Sequence, residues 1–280
     1  MTAYCLIRKQ PVYRQDAFVA GLKSAGFDVR VGTPVEPRPD DILLIWNRYG
    51  DFAYQAQRFE KAGARVLVAE NGYMGAGGTA PKFDVTAGPQ AGHYYALALG
   101  HHNGRGVWPT GDGSRWAALG VPLKPWGHGD YVLVCPNRSF GEPDRLMPSD
   151  WGELTVRALA KVTQRPVRLR QHPGNSTPAR PLAEDLAGAH AVVIWHSSAG
   201  VHALVQGVPV VCMGPWWICK DASFDTLDAV QGGAWDQPWD TMYLDMFRLK
   251  ALQRMAWAQW TIDEIASGEP FKRLLWHDGK

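Results

Sequence analysis

Two periods of apolar residues alternate along this chain. In the first half Ala3 to Ile7, Phe27 to Val31, Asp41 to Trp46 and Ala64 to Ala69 read as strands, short apolar runs bounded by turn residues. Between them Gln15 to Ala25 places Phe18, Val19 and Leu22 at helical spacing and stops at Gly26, and Ala53 to Ala62 is a helix closed by Gly63. This order predicts βαβ units and so a parallel sheet. From Gly75 to Gly92 the pattern dissolves into glycine and proline, a stretch too long for a routine connection. Pro122 to Gly129, with Lys124-Pro125-Trp126-Gly127, reads as a linker. Beyond it come a strand at Tyr131 to Pro136, a helix at Ser149 to Thr163, a strand at Val167 to Gln171, a short helix at Pro181 to Ala187 and a strand at Ala191 to Trp195. A helix opened by Ser197-Ser198-Ala199-Gly200 and ended at Gly207 then leads to a last strand at Val210 and Val211. One long closing helix is expected over about Thr241 to Ser267, carrying Met242, Leu244, Met246, Phe247, Leu249, Leu252, Trp257, Trp260 and Ile265.

At 280 residues, 46% of them apolar, the chain has the material for two compact α/β domains, expected at 1–124 and 125–280. It contains no run of 18 apolar residues, and its start lacks the apolar stretch of a signal peptide, so a cytoplasmic protein without membrane insertion is expected. The four cysteines, Cys5, Cys135, Cys212 and Cys219, are scattered, three of them in or beside predicted strands, and signal neither a zinc site nor a disulfide framework. Up to residue 125 there are 14 basic and 10 acidic side chains, and beyond it 15 and 17. That mild excess in the front half is compatible with a polyanionic partner and does not require one.

The strand from Ala191 to Trp195 and the small-residue turn after it carry the strongest chemical signal. Ser197 and Ser198 are placed to cap a helix, Ala199 and Gly200 put no bulk beside its first amides, and a helix start favours phosphate. Two other polar segments, Cys135-Pro136-Asn137-Arg138-Ser139-Phe140-Gly141 and Arg170-Gln171-His172-Pro173-Gly174, also follow predicted strands. All three belong at one sheet's carboxyl edge, where ligands of open α/β sheets bind.

Gln171-His172-Pro173, followed by Ser197-Ser198-Ala199-Gly200-Val201-His202-Ala203 and Gly207-Val208-Pro209-Val210, resembles the donor-binding half of GT-B glycosyltransferases. The likeness is greatest to the capsular-polysaccharide and Kdo type, whose pattern is His-Pro and then Ser-Ser/Thr-x-Gly-x-Glu-Ala-x-x-x-Gly-x-Pro-Val. It covers about residues 128 to 215. His202 stands where the family has a Glu that grips the nucleotide ribose, which leaves the donor nucleotide open. The resemblance implies an α/β fold of two Rossmann-like domains facing a cleft, with a C-terminal helix crossing back to the first domain. It also implies glycosyl transfer from a UDP-, GDP- or CMP-linked sugar used as co-substrate, with no permanently bound cofactor and no metal.

Such an enzyme must hold the donor, neutralise its leaving phosphate and activate an acceptor hydroxyl. Arg138 is expected on phosphate, because a guanidinium fork matches phosphate oxygens. Gln171 and His172 are expected at the base or leaving phosphate, and Ser197, Ser198, Ala199 and Gly200 at the phosphate seat with His196 and His202 beside it. In the first domain Glu70 ends a buried strand and is the first choice of base. His101 or His102, in Gly100-His101-His102-Asn103-Gly104-Arg105-Gly106, and Asp112 are the alternatives. Asn71, Gly72, Asn103 and Arg105 complete the acceptor side. A metal at His93, His101 and His102 is disfavoured, because adjacent histidines point apart. Most of the 13 tryptophans belong to packing, which leaves one or two, within Trp216-Trp217 or elsewhere, for a ligand.

A nicotinamide-dependent oxidoreductase would need Gly-x-Gly-x-x-Gly after the first strand, and Ile7-Arg8-Lys9-Gln10-Pro11-Val12 does not supply it. A sugar-nucleotide 2-epimerase-like enzyme and a non-catalytic nucleotide-sugar binding module remain as rivals. For a transferase the acceptor is a surface glycan or a hydroxymethylated base in phage DNA. Arg48, Arg58, Lys82, Arg105 and Arg115 would line the rim in the DNA case.

Overall fold

A computed structural model describes residues 1–79, 92–127, 129–139, 141, 146–173, 180–231 and 238–276, without the side chains of 238–241. In chain order the elements are β1 (Thr2–Cys5), α1 (Gln15–Ser24), β2 (Asp28–Val31), β3 (Ile42–Trp46), α2 (Asp51–Lys61), β4 (Arg65–Asn71), β5 (Tyr95–Leu99) and α3 (Ser114–Ala118). Then follow β6 (Tyr131–Cys135), α4 (Trp151–Val162), β7 (Val167–Leu169), α5 (Leu182–Ala187), β8 (Ala189–Ile194), α6 (Ala199–Val205), β9 (Val210–Cys212), α7 (Pro238–Ala256), β10 (Gln259–Trp260), α8 (Ile262–Ser267) and α9 (Glu269–Trp276). They form two compact units, Met1–Arg115 together with the stretch from Arg254, and Trp116–Gln253. The expected division fell at 124/125.

The first unit holds a six-stranded sheet in the order β10-β5-β4-β3-β1-β2. The strands β1 to β4 run parallel, as the βαβ pattern predicts, and β5 runs antiparallel to β4. Sequence reading missed β5, although Tyr95, Leu97 and Leu99 alternate there with Ala96 and Ala98. One face of the sheet packs Ala3, Cys5, Leu44, Trp46, Leu67, Tyr95 and Leu97 against α1, α8 and α9 through Phe18, Leu22, Ile265 and Phe271. The other face packs Leu43, Ile45, Val66 and Val68 against Ala56 and Phe59 of α2.

The second unit holds four parallel strands in the order β7-β6-β8-β9. Its core joins Val132, Val134, Ala191, Val193 and Val211 to Trp151 and Leu159 of α4. Pro122 to Gly129 is not a free linker. Its backbone caps the end of α6, with Lys124 N–H donating to Val205 O at 3.0 Å and Gly127 N–H to Gly207 O at 2.8 Å. Arg248 of α7 donates to Lys124 O at 2.8 Å while its guanidinium lies 4.3 Å from the centroid of the Trp126 ring.

The single closing helix expected to Ser267 is instead interrupted. After α7 the chain extends so that Gln259 and Trp260 pair with Ala96 and Tyr95. The Gln259 amide accepts from Tyr73 N–H and Met74 N–H and donates to Met74 O, a set of buried bonds that no helical continuation would make. A new helix starts at Thr261, whose hydroxyl accepts Glu264 N–H while the Glu264 carboxylate accepts Thr261 N–H. The signature Thr-x-x-Glu was visible in the sequence and marks this restart. All four cysteines are buried free thiols. Among the described residues no helix is long and apolar enough to cross a membrane.

Candidate functional site

In the first unit Glu70 follows Val66 and Val68 on the α2 face of the sheet, and several of the other candidates lie in the loop after β5. The bond pairing Leu99 with Val107 closes a hairpin. The hairpin folds residues 100–106 over the small side chains of β5, so closely that a Cβ at Gly106 would lie 2.6 Å from His101 O and 2.8 Å from Ala98 Cβ. It carries His102 to Glu70, with Nε2 3.6 Å from the Glu70 carboxylate and side chains 22% and 37% exposed. Both were selected in sequence as alternative bases. The fold makes them one pair, in which the carboxylate can orient the imidazole and stabilise its protonated form.

The hairpin is anchored at two further points. Asn103 N–H donates to the Tyr73 hydroxyl at 3.1 Å. Arg48, only 5% exposed in its side chain, donates to both Glu60 carboxylate oxygens at 2.6 Å and to Gly100 O at 2.5 Å. Sequence reasoning had set Arg48 on a rim as a surface cation and so missed this brace; no local pattern links it to Gly100.

The other acceptor-side candidates are near. Asn71 ends β4 opposite Tyr95, and Gly72 N–H donates to Tyr94 O at 2.8 Å. His101 and Arg105 lie half-buried in the hairpin. Asp112 stands apart as a base candidate. It is fully exposed and accepts from the Ser114 hydroxyl and N–H, and these bonds hold its carboxyl below the usual range.

The remaining rim cations are also accounted for. Arg115 is paired with Glu264 at 2.6 Å and lies over the Trp260 ring at 4.1 Å. Arg58 donates to Gln55, Pro34 O and Val35 O. Both make internal contacts. Lys82 lies outside the described residues.

In the second unit every polar segment singled out in the sequence leaves the carboxyl edge of the parallel sheet, because all four strands point the same way. After β6, Asn137 Oδ1 accepts His196 N–H at 3.0 Å and so ties the β6 and β8 loops together. Arg138 is exposed beside them. After β7, Gln171 is exposed and His172 half-buried. Burial, and then the Arg138 charge, push the His172 imidazole below its usual value. Phe140 and Gly174 lie outside the described residues. The edge therefore offers an exposed guanidinium, imidazoles and exposed amide and hydroxyl groups.

The turn after β8 leads into α6. Ser198 makes no side-chain cap bond to α6, and the side-chain bond at the helix start comes from Ser197 instead. Ser197 is buried, with its hydroxyl accepting Ala199 N–H at 3.2 Å and its carbonyl accepting Gly200 N–H at 3.1 Å. Those two amides are thus engaged within the turn, and Ser198 is the exposed hydroxyl. His202 is a buried residue of a helix buried on every side, and burial pushes its imidazole down to about 4. It packs within α6 at the position where the resemblance has a Glu. Trp217 packs across Gly200, whose Cβ, if present, would lie 2.5 Å from its ring.

No protein-family model and no curated protein matches the sequence. Solved structures do. The chain is similar to a structure of Thermosulfurimonas dismutans KpsC described as a beta Kdo 2,7 transferase, with a TM-score of 0.53, 11% identity, and coverage of 96% of this chain and 98% of that one. It is also similar to a second Thermosulfurimonas dismutans KpsC structure, described as a beta Kdo 2,4 transferase, with a TM-score of 0.51, 12% identity, and coverage of 88% and 98%. The fold is shared with these transferases. At such identities the likeness extends to fold and not to individual side chains.

Proposed function

We propose that the protein is a glycosyltransferase that takes its sugar from a nucleotide sugar and passes it to a hydroxyl of a glycan. The observation that carries this reading is the collection of Arg138, His172, His196 and Ser198 at one strand edge in a chain that matches a Kdo transferase over 96% of its length. Arg138 would hold the donor phosphate and stabilise the charge that develops on it as the glycosidic bond breaks, with Ser198 and His196 as further partners. Gln171 and His172 would contact the same ligand from the β7 loop.

Glu70 and His102 in the first unit would serve as base. His102 takes the acceptor proton and Glu70 stabilises the resulting imidazolium. Asn71, Gly72, Asn103 and Arg105 would bind the acceptor. The printed activities of the two similar structures make a Kdo sugar and a glycan hydroxyl the first donor and acceptor to try.

A thermal-shift series with UDP, GDP, CDP and CMP, repeated on Arg138→Ala, tests the reading. One nucleotide should raise the Tm, and Arg138→Ala should weaken its binding by about 10- to 150-fold, the range for a lost charge-assisted hydrogen bond. Absence of a shift with every nucleotide would overturn the reading. Transfer to hydroxymethylated DNA in place of glycan would move the acceptor but keep the reaction.

A further inference from the structure

Of the four loops at the carboxyl edge of the second unit's sheet, the one after β9 has no part in the site so far. It runs Met213-Gly214-Pro215-Trp216-Trp217, and its backbone is fixed at several points. Met213 N–H donates to Ile194 O at 2.9 Å and Gly214 N–H to Trp195 O at 2.8 Å, while the Lys220 ammonium donates to Cys212 O and to Gly214 O. Pro215 restricts its own φ. Trp217 is 2% exposed and packed across Gly200, whereas Trp216 beside it is 39% exposed. A rigid loop therefore presents one large aromatic ring at the edge where Arg138, His196 and Ser198 also emerge.

Strand order adds a length argument. Arg138 follows β6 and Trp216 follows β9, with β8 between them. Two strand spacings separate the loops, about 10 Å, and His196 and Ser198 lie in the interval. That is the layout a nucleotide needs, with phosphate at one end, ribose in the middle and a flat base at the other.

We propose that Trp216 is the stacking platform for the base of the donor nucleotide. This inference rests on the donor reading above and deepens it by naming the residue that distinguishes a nucleotide from other phosphorylated ligands. Stacking tolerates any base, so Trp216 supplies affinity for nucleotides as a class, and selection among bases falls to other groups.

Calorimetric titration of the intact chain with the best-binding nucleotide and, separately, with inorganic pyrophosphate tests it. Trp216→Ala should weaken the nucleotide by about 5- to 150-fold, the span for loss of one stacked base. It should leave pyrophosphate binding and the Tm unchanged, and Trp216→Phe should restore most of the nucleotide affinity. Unchanged nucleotide affinity in Trp216→Ala would overturn the inference while the donor site stands. Equal losses for nucleotide and pyrophosphate would overturn it as well, because they indicate a collapsed loop. If the unaltered protein binds pyrophosphate but no nucleotide, both this inference and the donor reading fall.

Discussion

In the second unit the polar groups meet because four parallel strands end at one edge, and Asn137, His172, His196 and Trp216 arrive there by strand direction alone. In the first unit Glu70 and His102 meet because β5 reverses direction and its hairpin folds back over the sheet. The two arrangements respond differently to change. The edge loops are tied to one another mainly through their backbones, so an exposed side chain such as Arg138 or Ser198 can be altered with mainly local effect. The hairpin pair depends on register, on Gly106 and on the Arg48 brace to Gly100, so its chemistry is coupled to its packing.

The sharpest way to separate the two is His102→Gln. It should lower kcat by about 100- to 10,000-fold, the range for loss of a general base, with donor affinity unchanged by calorimetry. A loss below tenfold would remove the hairpin from the chemistry. An acid titration probes the second unit. The folded-state value of His202 is held at about 4, against an ordinary 6.5. The unfolded chain therefore takes up this proton first, and the native advantage is complete above about pH 6.5 and lost as pH falls toward 4. About 3 kcal/mol is at stake. Urea unfolding at a series of pH values should show that loss, and His202→Leu should flatten it.

The smallest effects come from the two close approaches. Gly106→Ala and Gly200→Ala should each cost about 1–3 kcal/mol by overpacking, read as a shift in the urea midpoint. Gly106→Ala should also slow turnover, because it moves the hairpin carrying His102. Gly200→Ala should instead weaken the donor, because it displaces Trp217 beside Trp216. Identical functional defects from the two glycines would erase the contrast between the units.

The same contrast explains what could be read in the sequence. Short β-branched runs after helices identify parallel strands, and every loop after a parallel strand shares an edge, so the residues of the second unit were legible as a set. Glu70 and His102 were legible only one at a time, as rival bases, because their meeting depends on the antiparallel pairing of β5. Arg48 looked like a surface charge, since a bond from Arg48 to Gly100 leaves no local trace. His202 is the opposite case. Its place in a helical motif is clear from spacing, but spacing does not reveal that α6 is covered on every side. The closing helix was overextended because the apolar period continues through Trp257 and Trp260 while the chain itself turns into β10.

The first unit is assembled from both ends of the described chain. The end of α8 is tied to α1 by the bond from the Ser24 hydroxyl to Ser267 O at 2.7 Å, β10 extends the sheet beyond β5, and Arg65 donates to Leu275 O at 2.7 Å. On the ribosome, therefore, the strands of the first stretch wait for the helices that follow Arg254. The second unit, whose stretch is continuous, has all its parts while the first still lacks one wall of its core. During synthesis the apolar face of α1 and β1 stays open while the whole second unit is made, and the stretch from Arg254 acts as the latch that ends this exposure.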